Sequence, residues 1–521
     1  MSPVRSSSVT PFSVRLGIAG MLATGLLSGC VSLAPEYRQP PLPVRASWDV
    51  PAAPGDAVAT LGWSDYFGDP RLRALIENTL ANNRDLRIAA ARVEQARAAY
   101  GIQRADLYPW FAAGATGTRQ RVPGDLNLSG QPQVSSQYQV ALGMSEWELD
   151  LWGRVRDLST AALQDYFAAD DTRRAATLSL INQTAQNYLG LRDLQERLDL
   201  ARQTVATRAE SLRIFELRHR VGSASKLELT ETMTLWQQAR ALVTQLEQQR
   251  AAQAHALELL TGSPVPVDYA QGPGDDEGMM RDLAPGLPSA LLENRPDIVA
   301  AEHQLKGAHA SIGAARAAFF PRIALTGAAG TASADLDGLF KGGSGMWTFT
   351  PSITLPIFQG GALRNNLDLA QARRVEAVAQ YEKTIQAAFR DVADALSARD
   401  WLARQVEILG ATHAAQAERA RLAKLRYDHG SSSFLEVLDA QRDLLAVQQQ
   451  EVESRYALLI SRANLYAALG GGSLTLAPAD AATPADGGGA GAPPDAATRA
   501  DVEKTSGMTP PAMTPMTPIT R

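Results

Sequence analysis

Two long stretches of this chain contain no proline, residues 133–262 and residues 357–477. Proline averages about one residue in twenty, so gaps of this size are selected rather than accidental. Proline inside a helix costs about 3 kcal/mol, and both stretches are rich in the strong helix formers Ala, Leu, Gln, Arg and Glu. Each has one obvious break, at Gly222-Ser223 and at Gly430-Ser431. Glycine there supplies a left-handed helix end, and serine can cap the helix that follows. The pattern predicts helices over Arg154 to Val221 and Ala362 to His429, each folded back at its glycine into a hairpin. At a rise of 1.5 Å per residue each would be roughly 100 Å long, far beyond the usual globular helix. Such lengths suit a rod or a tube.

The two stretches belong to a duplication. Ala96 to Pro109 (ARAAYGIQRADLYP) matches Ala308 to Pro321 (AHASIGAARAAFFP). Leu149-Asp150-Leu151-Trp152-Gly153 matches Leu355-Pro356-Ile357-Phe358 followed by Gly360 and Gly361. Leu217-Arg218 through Gly222 and on to Leu227-Glu228 matches Leu425-Arg426 through Gly430 and on to Leu435-Glu436. The order is the same and the offset drifts only between 206 and 212 residues. A repeat of this length is a duplicated half-domain rather than a solenoid unit. The expected organisation is a leader at 1–29, an N-terminal extension at 30–70, a first repeat at 71–262, a Pro/Gly/Asp-rich linker at 263–288 and a second repeat at 289–472. A Gly/Ala/Pro/Thr-rich tail at 473–521 has too little apolar bulk to pack and is expected to be disordered.

Each long helix is preceded by a segment that alternates with period two, the mark of a strand with one apolar face. Trp347, Phe349, Ile353, Leu355 and Ile357 fall on one side of the second segment, and Thr348, Thr350, Ser352 and Thr354 on the other. Tyr138, Val140, Leu142 and Met144 alternate in the same way with Gln137, Gln139, Ala141, Gly143 and Ser145. Partner strands are expected at Trp110 to Thr118 and Arg322 to Ala328, with hairpin loops near 119–136 and 329–345. The small, hydroxylic or amide-bearing face suits the wall of a water-filled pore. A small soluble sheet beside a helical stalk would show the same pattern. No internal stretch approaches the roughly 20 apolar residues of a membrane-spanning helix, so any crossing must use strands. A sheet in lipid must close, and four strands cannot; several chains would have to share one barrel.

The N-terminus indicates destination. Arg5 and Arg15 precede an apolar, uncharged run from Leu16 to Leu27, too short to span. The run ends in Leu27-Ser28-Gly29-Cys30, and Cys30 is the only cysteine of the chain. This resembles the bacterial lipobox, in which cleavage leaves the cysteine first and its thiol acylated. Each buried acyl CH₂ contributes about 0.8 kcal/mol, so several chains anchor stably. Val31, rather than aspartate, follows the cysteine, which by the same resemblance directs the lipoprotein to the outer membrane. A formal net charge of −5, with 50 basic and 55 acidic residues, does not suit nucleic-acid binding. The six histidines show no HExxH spacing, one thiol cannot build a metal site, and no G-x-S-x-G elbow occurs. Neither an enzyme, a metal site nor a cofactor is expected.

The set of motifs resembles the TolC-like outer-membrane efflux family, and within it the NodT-like lipoprotein subunits that serve RND-type pumps. The matching stretches include Ala34-Pro-Glu-Tyr-Arg-Gln-Pro40, Trp63-Ser-Asp-Tyr-Phe-Gly-Asp-Pro70, Asn82-Asn-Arg-Asp-Leu86 and Trp147-Glu-Leu-Asp-Leu-Trp-Gly-Arg154. They continue through Gly286 to Ile298, Ala317 to Ile323, Leu355 to Gly361, Ile385 to Phe389, Leu435 to Arg442 and Leu465 to Gly472. The resemblance implies a mainly α fold with membrane β: long helical hairpins forming a periplasmic α-barrel, and four strands per chain in a trimeric 12-stranded outer-membrane β-barrel. It implies a homotrimer that meets outer-membrane lipid, a periplasmic adaptor protein and an inner-membrane RND transporter, with no nucleic acid. The function implied is the passive exit duct of a tripartite efflux system. The duct of a type I protein secretion system is the alternative within the same family.

The positions singled out follow the glycine turns. Glu436 and Asp439 are neighbours on one helix face, and Glu228 and Glu231 repeat that spacing in the first copy. A ring of acids at a constriction favours cations. Acids in a first turn also satisfy the helix dipole, which is the plainer role for Glu228 and Glu231. By the resemblance, Tyr427, Leu435, Glu436 and Asp439 belong to the periplasmic aperture; Glu228 and Glu231 enter by internal symmetry. Some relatives carry an arginine in this turn, where this chain reads Gly430-Ser-Ser-Ser433, so closure is expected to rest on Leu435 and Tyr427.

Overall fold

The computed structural model describes residues 32–45, 58–266, 269, 278–283 and 291–476. The leader, Cys30, most of the linker and the tail beyond Leu476 lie outside the described residues. Helix α1 (Pro70–Asn82) is started by Asp69, whose carboxylate accepts from Arg71 N and Leu72 N, with Pro70 at the first helical position. Helix α2 (Arg84–Ala105) follows, then strands β1 (Phe111–Val122) and β2 (Gln133–Glu148). The first hairpin is α3 (Arg154–Arg220) and α4 (Lys226–Thr261). The second repeat supplies α5 (Pro296–Ala317), β3 (Arg322–Ser333), β4 (Gly345–Thr354), α6 (Ala362–Asp428) and α7 (Phe434–Ala468).

The long helices fall where the proline gaps place them. Both α3 and α6 have 67 residues, and they return as helices of 36 and 35. Gly222 and Gly430 turn the chain with φ of 77° and 71°, where a side chain would be strained. Ser225 starts α4 with a full capping box, its hydroxyl accepting from Glu228 N while Glu228 accepts from Ser225 N.

The four strands form one antiparallel sheet in the order β1-β2-β3-β4. They reach further than the sequence pattern suggests. Arg119, Gln120 and Arg121, expected in a loop, pair with Ser136, Ser135 and Val134. Thr331 pairs with Val140 and Gly345 beyond the expected end of β3. Polar alternation there reads as loop, but backbone pairing in the ladder extends the strands. In the other direction, β4 stops at Thr354, opposite Arg322 at the start of β3, so Leu355 and Ile357 continue past the end of the ladder.

The main core sits where both repeats meet. Tyr66 stacks on Tyr466 at 4.3 Å and donates to Arg462 O, while Tyr188 donates to Asp69 at 2.7 Å. Leu72 and Ile76, Leu189 and Leu191, Ile298 and Leu305, Ile385 and Val392 complete it from α1, α3, α5 and α6. Parts of the linker region join in: Met279 and Met280 are buried, and Gly68 N donates to Met279 O at 2.8 Å. Ordered chain also runs past residue 472, since Gly472 N donates to Val58 O and Ser473 is buried. Among the described residues no helix is long and apolar enough to cross a membrane.

Candidate functional site

The sheet register divides its side chains into two unlike faces. Phe111 pairs with Met144, Ala113 with Leu142 and Ala115 with Val140. Leu142 pairs on with Ala329, and Ala329 with Trp347. Gly327 sits opposite Phe349, and Ile323 opposite Ile353. Residues paired across strands share a face, so this face carries the aromatic groups and most of the large aliphatic ones, Met346 and Val122 falling on the other. The other face carries Gly114, Thr116 and Thr118, then Ala141, Gln139 and Gln137, then Ala328 and Gly330, then Thr348, Thr350 and Ser352. A β-bulge between Met144 and Trp147, with Glu146 at φ 47°, inserts one residue into β2. It returns Trp147 to the apolar face opposite Leu325 and leaves Glu148 on the polar one. The outer edges of β1 and β4 have no partner strand among the described residues.

The strand-to-helix turn explains the Trp147–Arg154 motif residue by residue. Trp147 Nε1 donates to Leu107 O and Trp152 Nε1 to Pro321 O. Glu148, with its side chain 10% exposed, accepts from Arg154 at 2.7 Å and from Arg322 at 2.9 Å. Asp150 accepts from Val155 N and Arg156 N, closing the first turn of α3. Gly153, at φ 77°, makes the corner. Nearby, residues 32–45 lie along α3, α5 and α6. Ser32 donates to Asp157 at 2.7 Å, Arg316 to Leu33 O at 3.1 Å, Tyr37 to Glu302 at 3.0 Å and Gln39 to Tyr381 at 2.9 Å. The candidate anchor Cys30 itself is outside the described residues, two positions before Ser32.

At the far ends of the hairpins the two repeats are wired differently. Arg218 and Arg426 are equivalent, as are Glu228 and Glu436, and Ser225 and Ser433, all 208 residues apart. In the second hairpin Arg426 donates to Glu436 at 2.7 Å, and Ser433 makes no side-chain cap. In the first, Ser225 holds Glu228, and those hydrogen bonds keep the Glu228 carboxyl below the usual carboxylate range. Arg218 instead reaches across to the second hairpin and donates to the Tyr427 hydroxyl. Its guanidinium also stands 5.7 Å from the rings of Phe215 and Tyr427. Phe434 lies 4.4 Å from Phe215 and 4.9 Å from Tyr427, so four side chains from both hairpins form one cluster.

The structure thus brings Tyr427 into a cross-hairpin joint and leaves Leu435 48% exposed, with its neighbour Phe434 packed. Asp439 lies 3.3 Å from Arg442, and Glu231 is partly exposed one turn beyond Glu228. Arg218, Phe215 and Phe434 escaped the sequence argument. The signal was there: Phe434 replaces Lys226, Tyr427 replaces His219, and Ala423 replaces Phe215 in the duplication.

The outer membrane efflux protein family model matches residues 75–263 and 287–471. The chain is 46% identical over 462 residues to outer membrane protein OprJ of Pseudomonas aeruginosa, covering 88% of this chain and 96% of that protein. It is 46% identical over 459 residues to the toluene efflux pump outer membrane protein TtgF of Pseudomonas putida, covering 86% and 95%. Among solved structures it resembles a membrane protein from Pseudomonas aeruginosa at a TM-score of 0.81 and 45% identity, over 85% of this chain and 98% of that one. It resembles the open state of the Neisseria gonorrhoeae MtrE outer membrane channel at 0.78 and 41%, over 85% and 98%. With two hairpins, a two-faced sheet and a family match across both repeats, the chain belongs to the outer membrane efflux protein family.

Proposed function

We propose that three copies of this chain form the passive exit duct of a tripartite efflux system. The observation that carries this is the sheet: four strands, one face largely apolar, the other rich in glycine, threonine and glutamine, and neither outer edge paired among the described residues. In lipid those edges need partners, and three copies would give a 12-stranded barrel with a wet interior. The hairpins would continue it as a helical tube into the periplasm. An inner-membrane RND pump would supply the energy and an adaptor would join it to the hairpin ends. The duct itself would perform no chemistry. Acyl chains on Cys30 would hold the chain to the outer membrane, with residues 32–45 strapping that anchor to the helices.

The hairpin ends would form the aperture. Arg218–Tyr427 would tie neighbouring hairpins together, Leu435 would narrow the opening, and Glu436 and Asp439 would set its charge. Glu228 fits a capping role, and Glu231 is the freer acid of the first copy. The test is reconstitution of purified mature protein into planar bilayers together with deletion of the gene. Ion current from a trimer and hypersensitivity to several compound classes are expected. A water-soluble monomer without current would refute the proposal.

A further inference from the structure

The last residues of β1 break the pattern of the sheet's apolar face. Arg119 pairs with Ser136 and Arg121 with Val134, so both arginines stand on the face that carries Phe111, Leu142 and Trp347. Both are exposed. No acid occurs in β1 or in residues 133–145 of β2, so neither strand offers them a carboxylate at that level. The duplication maps Arg119 onto Thr331 and Arg121 onto Ser333, so the strand itself does not require a base there.

Their height on the sheet is informative. In β2 the apolar face runs from Trp147, at the helix end, to Ser136, the partner of Arg119. At about 3.3 Å per residue and a tilt of about 40°, that stretch stands about 25 Å tall, the height of the apolar band of a membrane barrel. One row nearer the helices than Arg119, Tyr138 covers Gly117, where a Cβ would meet its ring at 3.2 Å. Tyrosine marks the level at which hydrocarbon gives way to headgroups, and a pair of arginines beyond it is placed to meet their charge. The first hairpin also outreaches the second, since β3 ends at Ser333 opposite Tyr138. Arg119 and Arg121 therefore stand clear of β3.

We propose that Arg119 and Arg121 bind the phosphate groups of lipopolysaccharide, the phosphorylated glycolipid of the outer leaflet. With the helices in the periplasm, the hairpin loops face outward, so the pair meets that leaflet and not the inner one. Alternate residues of a strand lie about 7 Å apart on one face, close enough for two guanidinium groups to hold one phosphate together. The planar guanidinium fork matches phosphate oxygens two at a time. The apolar face beneath takes the acyl chains of the same lipid. The inference rests on the membrane-barrel reading above and adds to it a lipid class and the residues that select it.

The test uses the full mature chain, purified from outer membranes in detergent and stripped of lipid. It is titrated with bisphosphorylated lipid A and with the same lipid after dephosphorylation, and bound lipid is counted by native mass spectrometry. The wild type should bind the phosphorylated form about tenfold more tightly, or better. Arg119→Ala/Arg121→Ala should bring the two forms within about twofold of each other. Arg119→Lys/Arg121→Lys should keep part of the preference, because the charge remains while the fork is lost. Lys341→Ala, which removes a base already paired with Asp337 in the other hairpin, should behave as wild type. Excess inorganic phosphate should not displace the lipid. Equal binding of the two lipids by a conducting wild-type trimer, an unchanged preference in the double alanine variant, or displacement by inorganic phosphate would overturn the inference. Should the alanine variant fail to assemble, Arg119→Gln/Arg121→Gln decides on the same criteria. A wild-type chain that neither trimerises nor conducts would instead defeat the barrel reading, and the inference with it.

Discussion

Removing Arg218 should open the hairpin ends. The side chain makes one hydrogen bond to Tyr427 and stands over two rings at 5.7 Å. Because the pair is exposed, the charged hydrogen bond contributes only about 0.5–1 kcal/mol. The ring contacts add about 0.5–1 kcal/mol at an exposed site. Arg218→Ala therefore weakens the joint by about 1–2 kcal/mol per chain, a factor of about 5–30 in the open-to-closed ratio. If three chains open together, about 3–6 kcal/mol shifts that ratio by about 10²–10⁴. Single-channel recording in planar bilayers reads this as time spent at high conductance. Tyr427→Phe, which loses the hydroxyl but keeps the ring, should give roughly half the energy. The double variant should be little worse than Arg218→Ala, because both remove the same contact. Arg426→Ala breaks the Glu436 pair and the 3.5 Å contact to Ser431 O, both within one hairpin, and should leave the channel closed. Wild-type behaviour in Arg218→Ala, or equal opening in Arg426→Ala, would refute the reasoning.

Other outcomes follow from the same structure. Leu435→Ala should raise unitary conductance in the same bilayers, because the proposed aperture loses the side chain that would narrow it. Glu148→Gln leaves Arg154 and Arg322 without their shared carboxylate and should cost about 2 kcal/mol, seen as a lower thermal midpoint in detergent. Gly313→Ala should push residues 32–45 off the helices, because its Cβ would sit 2.1 Å from Asp157 Oδ2 and 2.7 Å from Ala34 N; limited proteolysis should then cut that segment. Burial raises the Asp193 carboxyl from 3.8 to about 6, against the lowering effect of Arg197. Between those values the folded chain holds a proton that the unfolded chain lacks, so acidification through that window stabilises the fold. Asp193→Asn should flatten this rise in denaturant titrations at pH 7 and pH 5.

The helices were legible because their signals are local. Missing prolines and a single glycine place the ends of α3 and α6 within a residue of where they fall. The faces of β2 and β4 were legible too, since period two needs no knowledge of partners. Strand ends at Arg119–Arg121 were not, because ladder pairing rather than side-chain polarity decides them. The wiring of the hairpin ends was hidden for a different reason. Arg218 and Arg426 occupy equivalent positions with an acid at equivalent distance, and composition cannot say which acid a serine has already claimed. Ser225 takes Glu228, Ser433 leaves Glu436, and only then does Arg218 become available to the other hairpin.

The matched 67-residue lengths of α3 and α6 carry a consequence for how such a chain can change. Reach across the periplasm is counted twice in one gene. Inserting turns into one copy alone would leave alternate bends of the rim standing proud of the others, and Arg218 could no longer find Tyr427. Any lengthening has to arrive in both copies, at matching heights, on the outward and returning helices alike.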